Sequence, residues 1–170
     1  TKTLDVDGGT IKLDGNYPTG SNNVALGDAA LDASLTGGKN TAVGSNALST
    51  NTSGASNTGL GNGALLLNTT GSFNTAIGDD TLLLNTTASN NTAVGYQSLY
   101  ANTTGSALTA VGTAALDANT TGIDNTAVGV SSLGGNTTGN YNVAVGRTAL
   151  LNNTTAPRNT AVGYQSLYAN

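Results

Sequence analysis

Residue types that could carry out chemistry are scarce in this chain, and their spacing assembles no catalytic group. The 170 residues include no His or Cys, so a serine nucleophile would need Lys or Asp as its base. Neither recurs beside Ser in a suggestive pattern. Asp79 and Asp80 are adjacent and would point to opposite faces of a strand, which indicates two exposed loop acids. The sequence therefore predicts no enzyme, no catalytic residue and no cofactor.

Three aspartates near glycine-containing turns are the candidates for a metal site. Asp5, Asp7 and Asp14 could ligate calcium through their carboxylate oxygens. Turn formation explains the same residues, because Asp side chains hydrogen-bond the backbone of tight turns. We favour the turn interpretation and predict no metal site.

Charge and hydropathy exclude two classes of partner. The net charge is −4, and the basic residues are scattered: Lys2, Lys12, Lys39, Arg147 and Arg158. A phosphate backbone requires a basic stripe, so we expect no nucleic acid. The chain contains no run of about 18 apolar residues, which predicts no membrane insertion.

The most distinctive side chains lie in a segment that occurs twice, as Asn91–Asn102 and Asn159–Asn170. Aromatic faces in such a polar sequence can stack on sugar rings. The same aromatics could instead pack between repeats or between chains, which we favour. The candidate glycan or receptor contacts are Tyr96, Gln97, Tyr100, Tyr164, Gln165 and Tyr168.

Both copies belong to a 17-residue repeat that starts at Asn23. We call each repeat a rung and number its positions from 1. Rungs start at residues 23, 40, 57, 74, 91, 108, 125, 142 and 159, and Leu is at position 9 of every rung. Position 5 is always glycine: Gly27, Gly44, Gly61, Gly78, Gly95, Gly112, Gly129, Gly146 and Gly163. Residues 1–22 lie outside the repeat and are predicted to form an N-terminal capping segment, whereas residues 23–170 form the array.

The repeat length and composition favour a parallel β-solenoid (β-roll). Two helices and a turn need roughly 33 residues per repeat, and Gly, Asn, Thr and Val are poor helix formers. Seventeen residues span a contour of roughly 55 Å, enough for two short strands and two turns. Nine rungs about 4.8 Å apart would form a rod on the order of 43 Å long.

Alternation within the rung predicts which side chains are inside. Positions 2 and 4 share one strand face, and positions 3 and 5 share the other. We expect the branched residue at position 4 and Leu at position 9 to point inward. Positions 3 and 5 hold only Ala or Gly, so we expect that face to admit another chain's backbone. Because one Val and one Leu per rung make a thin core, the count predicts homo-oligomerisation.

The Asn-x-Thr/Ser triplets that recur at position 12 of seven rungs allow two interpretations. They match glycosylation acceptors, but rungs about 4.8 Å apart would place glycans closer together than their own width. We favour a ladder of turn asparagines that hydrogen-bond along the rod. The residues are Asn51, Asn68, Asn85, Asn102, Asn119, Asn136 and Asn153.

The rung also resembles a known family. The segments 142–146 and 23–27 are similar to the Ser/Asn-Val-Ala-Ile-Gly motif of YadA-like head domains in trimeric autotransporter adhesins. The segments 40–44 and 125–129 are one substitution away. The longer Asn-Thr-Ala-Val-Gly-Tyr-Gln-Ser-Leu-Tyr-Ala-Asn pattern is similar to repeats of bacteriophage tail-fibre proteins. The resemblance covers 23–170 and implies a left-handed β-roll homotrimer used in surface attachment, although this rung is longer than the usual bacterial one.

These observations predict a structural or adhesive fibre segment. We expect the shaft or receptor-binding region of a phage tail fibre, located on the virion and binding itself and a host-surface polysaccharide or protein receptor. A bacterial cell-surface trimeric adhesin head is the alternative. An ice-binding β-solenoid is the second alternative, although Thr-Thr in a turn is not the Thr-x-Thr on a flat strand that an ice surface requires.

Overall fold

The computed structural model describes residues 20–33 and 36–169. These residues form an all-β solenoid of about eight turns, which confirms the predicted fold class. Each rung contributes one short strand to a single parallel sheet whose strands follow in chain order. The strands are β1 (Val24–Leu26), β2 (Thr41–Val43), β3 (Thr58–Leu60), β4 (Thr75–Ile77), β5 (Thr92–Val94), β6 (Thr109–Val111), β7 (Thr126–Val128), β8 (Val143–Val145) and β9 (Thr160–Val162).

The strand register follows the repeat without a slip. Thr92 pairs with Thr109 and Val94 with Val111, and every other pair of neighbouring strands is offset by the same 17 residues. Equivalent side chains therefore stack into columns along the rod. Of the predicted capping segment only 20–22 is described, and the calcium candidates Asp5, Asp7 and Asp14 lie outside the described residues.

The prediction of two strands per rung is wrong. In the part of the chain that the structure describes, each rung has one three-residue strand, and turns fill the rest. Residues of positive φ recur at positions 7, 9 and 17, as at Gln97 (φ 54), Leu99 (φ 53) and Ala107 (φ 58). A left-handed residue reverses the local direction of the chain, so these positions bend the rung where a second strand would need extended backbone.

The predicted orientation of the strand is also wrong. Ala93 at position 3 is fully buried, whereas Val94 at position 4 faces outward and is partly exposed. Leu from position 9 occupies the interior, since a methyl group placed on Gly59 would lie 3.6 Å from Cδ1 of Leu48. Beside that leucine only a small side chain fits, so alanine faces the core and the branched residues face out.

Position 5 must be glycine because the next rung of the same chain lies against it. Gly95 has φ 129, and a methyl group there would lie 2.7 Å from the carbonyl carbon of Gly112 in the next rung. The expected close backbone approach is therefore present, but the neighbour is the following rung rather than another protomer.

Two columns of buried asparagine hold the rungs together. The column at position 12 runs from Asn51 to Asn153, and its side chains bond one another along the axis, as from Asn102 Nδ2 to Asn85 Oδ1 (3.1 Å). This confirms the turn ladder. The carbonyl oxygen of Gly105 accepts both the Asn102 amide and the Asn91 amide at 2.9 Å, and Asn91 belongs to the column at position 1. In the described residues no buried side-chain polar atom lacks a partner.

Candidate binding surfaces

The outward side chains of β1–β9 form one continuous surface, which we call the strand face. It has two columns, position 2 with Thr in seven rungs and Val in two, and position 4 with Val, Leu or Ile. Position 4 is partly exposed at Val43 and Val94 and more exposed in the other seven rungs, from 36% at Val111 to 44% at Leu60 and 69% at Val162. Apolar side chains thus follow one another about 4.8 Å apart along the whole sheet, and contiguous exposed apolar surface marks an interaction site.

Aromatic residues stand at both margins of the strand face. Position 6 follows the strand and carries Tyr96 and Tyr164, which are 50% and 70% exposed. Position 17 precedes the next strand and carries Phe73 and Tyr141, which are 63% and 50% exposed. Within each margin the two aromatics are four rungs apart, or about 19 Å along the axis.

The six side chains predicted to contact a receptor occupy equivalent positions in the fifth and ninth rungs. Tyr100 and Gln97 are half-buried, whereas Gln165 and Tyr168 are exposed along with the two tyrosines at position 6. Rung-to-rung hydrogen bonds fix the backbone here, since Gln97 N–H donates to Asp79 O at 3.0 Å and Tyr96 O accepts from Ala114 N–H at 2.9 Å. Their role in receptor binding stays a prediction.

Sequence reasoning missed the aromatics at position 17. Arg158 lies over the ring of Tyr141, 5.8 Å from its centroid, a distance typical of a cation–π contact. Phe73 and Tyr141 are not part of the duplicated segment, so the search for repeated motifs passed over them. The signal that could have found them is that position 17 changes residue type from rung to rung, whereas position 1 beside it is almost always Asn.

The acidic residues do not form a chemical site in the described residues. Asp79 is exposed and Asp80 half-exposed in the turn after β4, as expected for loop acids. No group of three or more His, Cys, Asp or Glu is placed to hold a metal ion in the described part. Burial raises the pKa of Asp117, against the opposing effect of backbone hydrogen bonds from Asp117 and Ala118.

No family model, curated protein or solved structure matches this chain. In the segments 20–33 and 36–169, no helix has the length and hydropathy needed to cross a membrane.

Proposed function

We propose that this chain is a segment of a homotrimeric fibre, the shaft or receptor-binding region of a phage tail fibre that attaches to a host surface. The strand face is the observation that carries the proposal. It leaves an aliphatic side chain at least partly exposed in every rung from Leu26 to Val162. A fibre shaft needs a contact surface that repeats along its length, and this face repeats once per rung.

Other copies of the same chain are the best cover for this face. A partner matches the face over its whole length only if its side chains repeat at the same interval of about 4.8 Å along the axis. A second copy has that interval by construction. Three copies around one axis form a closed symmetric assembly in which every strand face points to the centre.

Attachment would then fall to the side chains that remain outside. Tyr96 and Tyr164 stand at the margin of the strand face rather than on it, and aromatic rings bind sugars and protein receptors through the same amphipathic faces. The resemblance to tail-fibre repeats favours a virion location. A bacterial cell-surface adhesin head would use the same trimer, and binding to phage-host or animal-cell receptors separates the two.

Solution mass with matched charge variants tests the trimer. Light scattering should give three times the chain mass of 16.6 kDa. Val94→Lys together with Val111→Lys places two charges per chain on the strand face and should yield monomers, because buried unpaired ammonium groups are costly. Thr87→Lys with Thr104→Lys, at exposed turn positions, is the control and should remain trimeric. A monomeric parent chain, or a stable dimer, would contradict the trimer.

Ice binding is the second candidate, because the strand face supplies the geometry that the turn threonines lack. Thr at position 2 and an aliphatic residue at position 4 project from the same side of each strand and stack in register along the rod, as with Thr92 and Val94. A regular array of hydroxyl and methyl groups can match a crystal lattice. Thermal hysteresis that is present in the parent chain and disappears in the Val94→Lys and Val111→Lys variant would favour ice binding. A monomeric parent chain without thermal hysteresis would contradict it.

A further inference from the structure

We propose that a groove beside the first three rungs binds a carboxylated sugar. The groove has a volume of about 390 Å³ and is lined by residues of positions 14, 16 and 17. Small-molecule sites have volumes of roughly 300–1,000 Å³, so this groove suits one or two sugar rings. The proposal rests on the attachment function proposed above, for which it names a ligand class and a location that the duplicated tyrosine segments do not provide.

Position 16 holds small residues where the groove lies. Gly38 and Ala55 are among the residues that line it. The following rungs carry, in order, Ser72, Ser89, Ser106, Ile123, Asn140 and Pro157 at the same position. The first two rungs therefore have the smallest residues of this column, which leaves the most room there.

Phe73 supplies an aromatic wall for the groove. Its side chain is 63% exposed, and its backbone is held by a hydrogen bond from Phe73 N–H to Ala55 O at 3.0 Å. The flanking residues of its column, Ser56 and Asn90, are small and polar. An exposed ring on a fixed backbone is a stacking platform for the C–H face of a sugar.

Lys39 makes the site selective for an anion. It is exposed, it is the cation among the lining residues, and these include no carboxylate. Lys39 and Phe73 lie two rungs apart, or about 10 Å along the axis, and the flexible lysine stem can cover part of that distance. A sugar stacked on Phe73 would thus reach the ammonium through a carboxylate, which forms a charge-assisted hydrogen bond.

Polar side chains complete the lining. Ser21, Asn22, Thr36 and Ser56 line the same groove, and the Thr36 hydroxyl also donates to Thr52 O at 3.4 Å. Sugar hydroxyls both donate and accept hydrogen bonds, and hydroxyl and amide side chains can do the same. A ring, a cation and several neutral hydrogen-bonding groups together match an acidic sugar better than a peptide or a purely apolar ligand.

The other exposed aromatic of this column shows why Phe73 is the open platform. The ring of Tyr141 already lies under the guanidinium of Arg158. This cation–π contact leaves less of the Tyr141 ring free for a ligand. The matched residue Tyr141 therefore provides a natural control for every variant of Phe73.

Calorimetric titration of the full chain with methyl glucuronide, and with the neutral methyl glucoside, tests the proposal. We expect binding of the acid sugar with a Kd in the millimolar range and at least tenfold weaker binding of the neutral sugar. Phe73→Ser, which introduces the residue that the preceding rung carries at the same position, should weaken binding of the acid sugar at least tenfold. Lys39→Gln should abolish the difference between the two sugars. Tyr141→Ser and Arg158→Gln should leave both affinities unchanged.

The outcomes separate this proposal from the fibre proposal. Loss of sugar binding in Phe73→Ser with unchanged solution mass would assign the sugar to the groove. A parent chain that forms trimers but binds neither sugar would contradict the sugar site and leave the fibre proposal standing. A monomer that binds the acid sugar would contradict the fibre proposal and support the sugar site. Equal weakening by Phe73→Ser and Tyr141→Ser would also overturn the proposal, because it would place the sugar on no particular aromatic.

Discussion

The two asparagine columns differ in what their side chains hold. At position 12 each amide from Asn68 onward donates to the asparagine of the preceding rung, and the seven residues from Asn51 to Asn153 are uninterrupted. At position 1 each side-chain oxygen instead accepts a backbone N–H of the next rung, as Asn91 does from Leu108 at 3.0 Å. Leu108 itself replaces asparagine in this second column and is nearly fully buried. One column has therefore tolerated an apolar residue, and the other has not.

The hydrogen-bond count explains the difference. Removing the Asn102 side chain takes the donor from Asn85 Oδ1 and an acceptor from the Asn119 amide, both inside the core. Removing the Asn91 side chain takes the acceptor from one backbone N–H. In either case Gly105 O keeps one amide donor, because both asparagines bond it. A defect at position 12 thus disturbs two buried side chains in two different rungs, and a defect at position 1 disturbs one N–H.

Asn102→Leu should have the largest effect on stability. Two buried polar groups lose a partner, at a cost of about 1–3 kcal/mol each, so we expect the free energy of unfolding to fall by about 3–4 kcal/mol. Urea unfolding followed by circular dichroism measures the loss. Thr104→Ala, at an exposed position of the same rung, is the control and should change little. A loss no greater than that of Asn91→Leu would contradict the distinction between the columns.

Asn91→Leu should cost about 1–2 kcal/mol, because a single N–H is left without its acceptor. The side chain is close in size to the leucine that the next rung already carries at this position. Hydrogen exchange of the Leu108 amide gives a local readout, and it should speed up while amides several rungs away stay protected. Unchanged exchange at Leu108 would show that the Asn91 oxygen does not hold that N–H.

The sequence predicted the stacking of the rungs better than it predicted which strand side chains point inward. Period, parallel stacking and the asparagine ladder follow from identical residues at fixed spacing, which permits few arrangements. The outward direction of Val94 did not follow, because alternation places Ala93 and Val94 on opposite faces without saying which face is the core. That choice depends on Leu99, whose left-handed backbone (φ 53) directs its side chain into the interior. Leucine rarely adopts this conformation, so no local rule pointed to it.

The margins of the strand face were harder to predict. Tyr96 attracted notice because its segment is duplicated, whereas Phe73 occupies a column with no consensus. Its importance depends on the small residue Gly38, which belongs to another rung and lines the same groove as Phe73 only in the folded solenoid. Sequence periodicity identifies what rungs share, and a binding site depends on how particular rungs differ.

Leu108→Asn makes the reverse change to Asn91→Leu and should increase stability by roughly 1 kcal/mol. The introduced oxygen would accept the N–H of Asn125, and the introduced amide would become a second donor to Gly122 O, which now accepts Asn119 at 3.1 Å. The gains are about 1–3 kcal/mol for giving the N–H of Asn125 an acceptor and about 0.5–1.5 kcal/mol for the added hydrogen bond. Together they exceed by a small margin the roughly 1.5–3 kcal/mol that burial of the leucine side chain supplies. Urea unfolding measures the change, and a clear loss of stability would show that the interruption is a packing adaptation.

A third column, at position 10, contains a half-buried carboxyl group, so the cost there comes from a charge and not from a missing hydrogen bond. Asp117 stands at a position where the other rungs carry Asp32, Ser49, Leu66, Leu83, Tyr100, Gly134, Leu151 and Tyr168. Burial raises the pKa of Asp117. Below the ordinary aspartate pKa of about 3.9, the carboxyl is neutral in both states and costs nothing. As the pH rises through the raised folded pKa, the ionised group must be held in a half-buried position, so stability is lost.

Asp117→Asn should therefore raise the melting temperature by about 1–2 °C at pH 7, and the difference should disappear below about pH 4. The shift is small because half of the side chain is still solvated, which screens the charge. Melting curves of the parent chain and the variant from pH 3 to 7 measure it, with Asp79→Asn at an exposed turn as the control for lost charge. A difference that persists at acid pH would mean that shape at position 10, and not ionisation, sets the cost, and the aspartate would then resemble Leu108 as a packing exception.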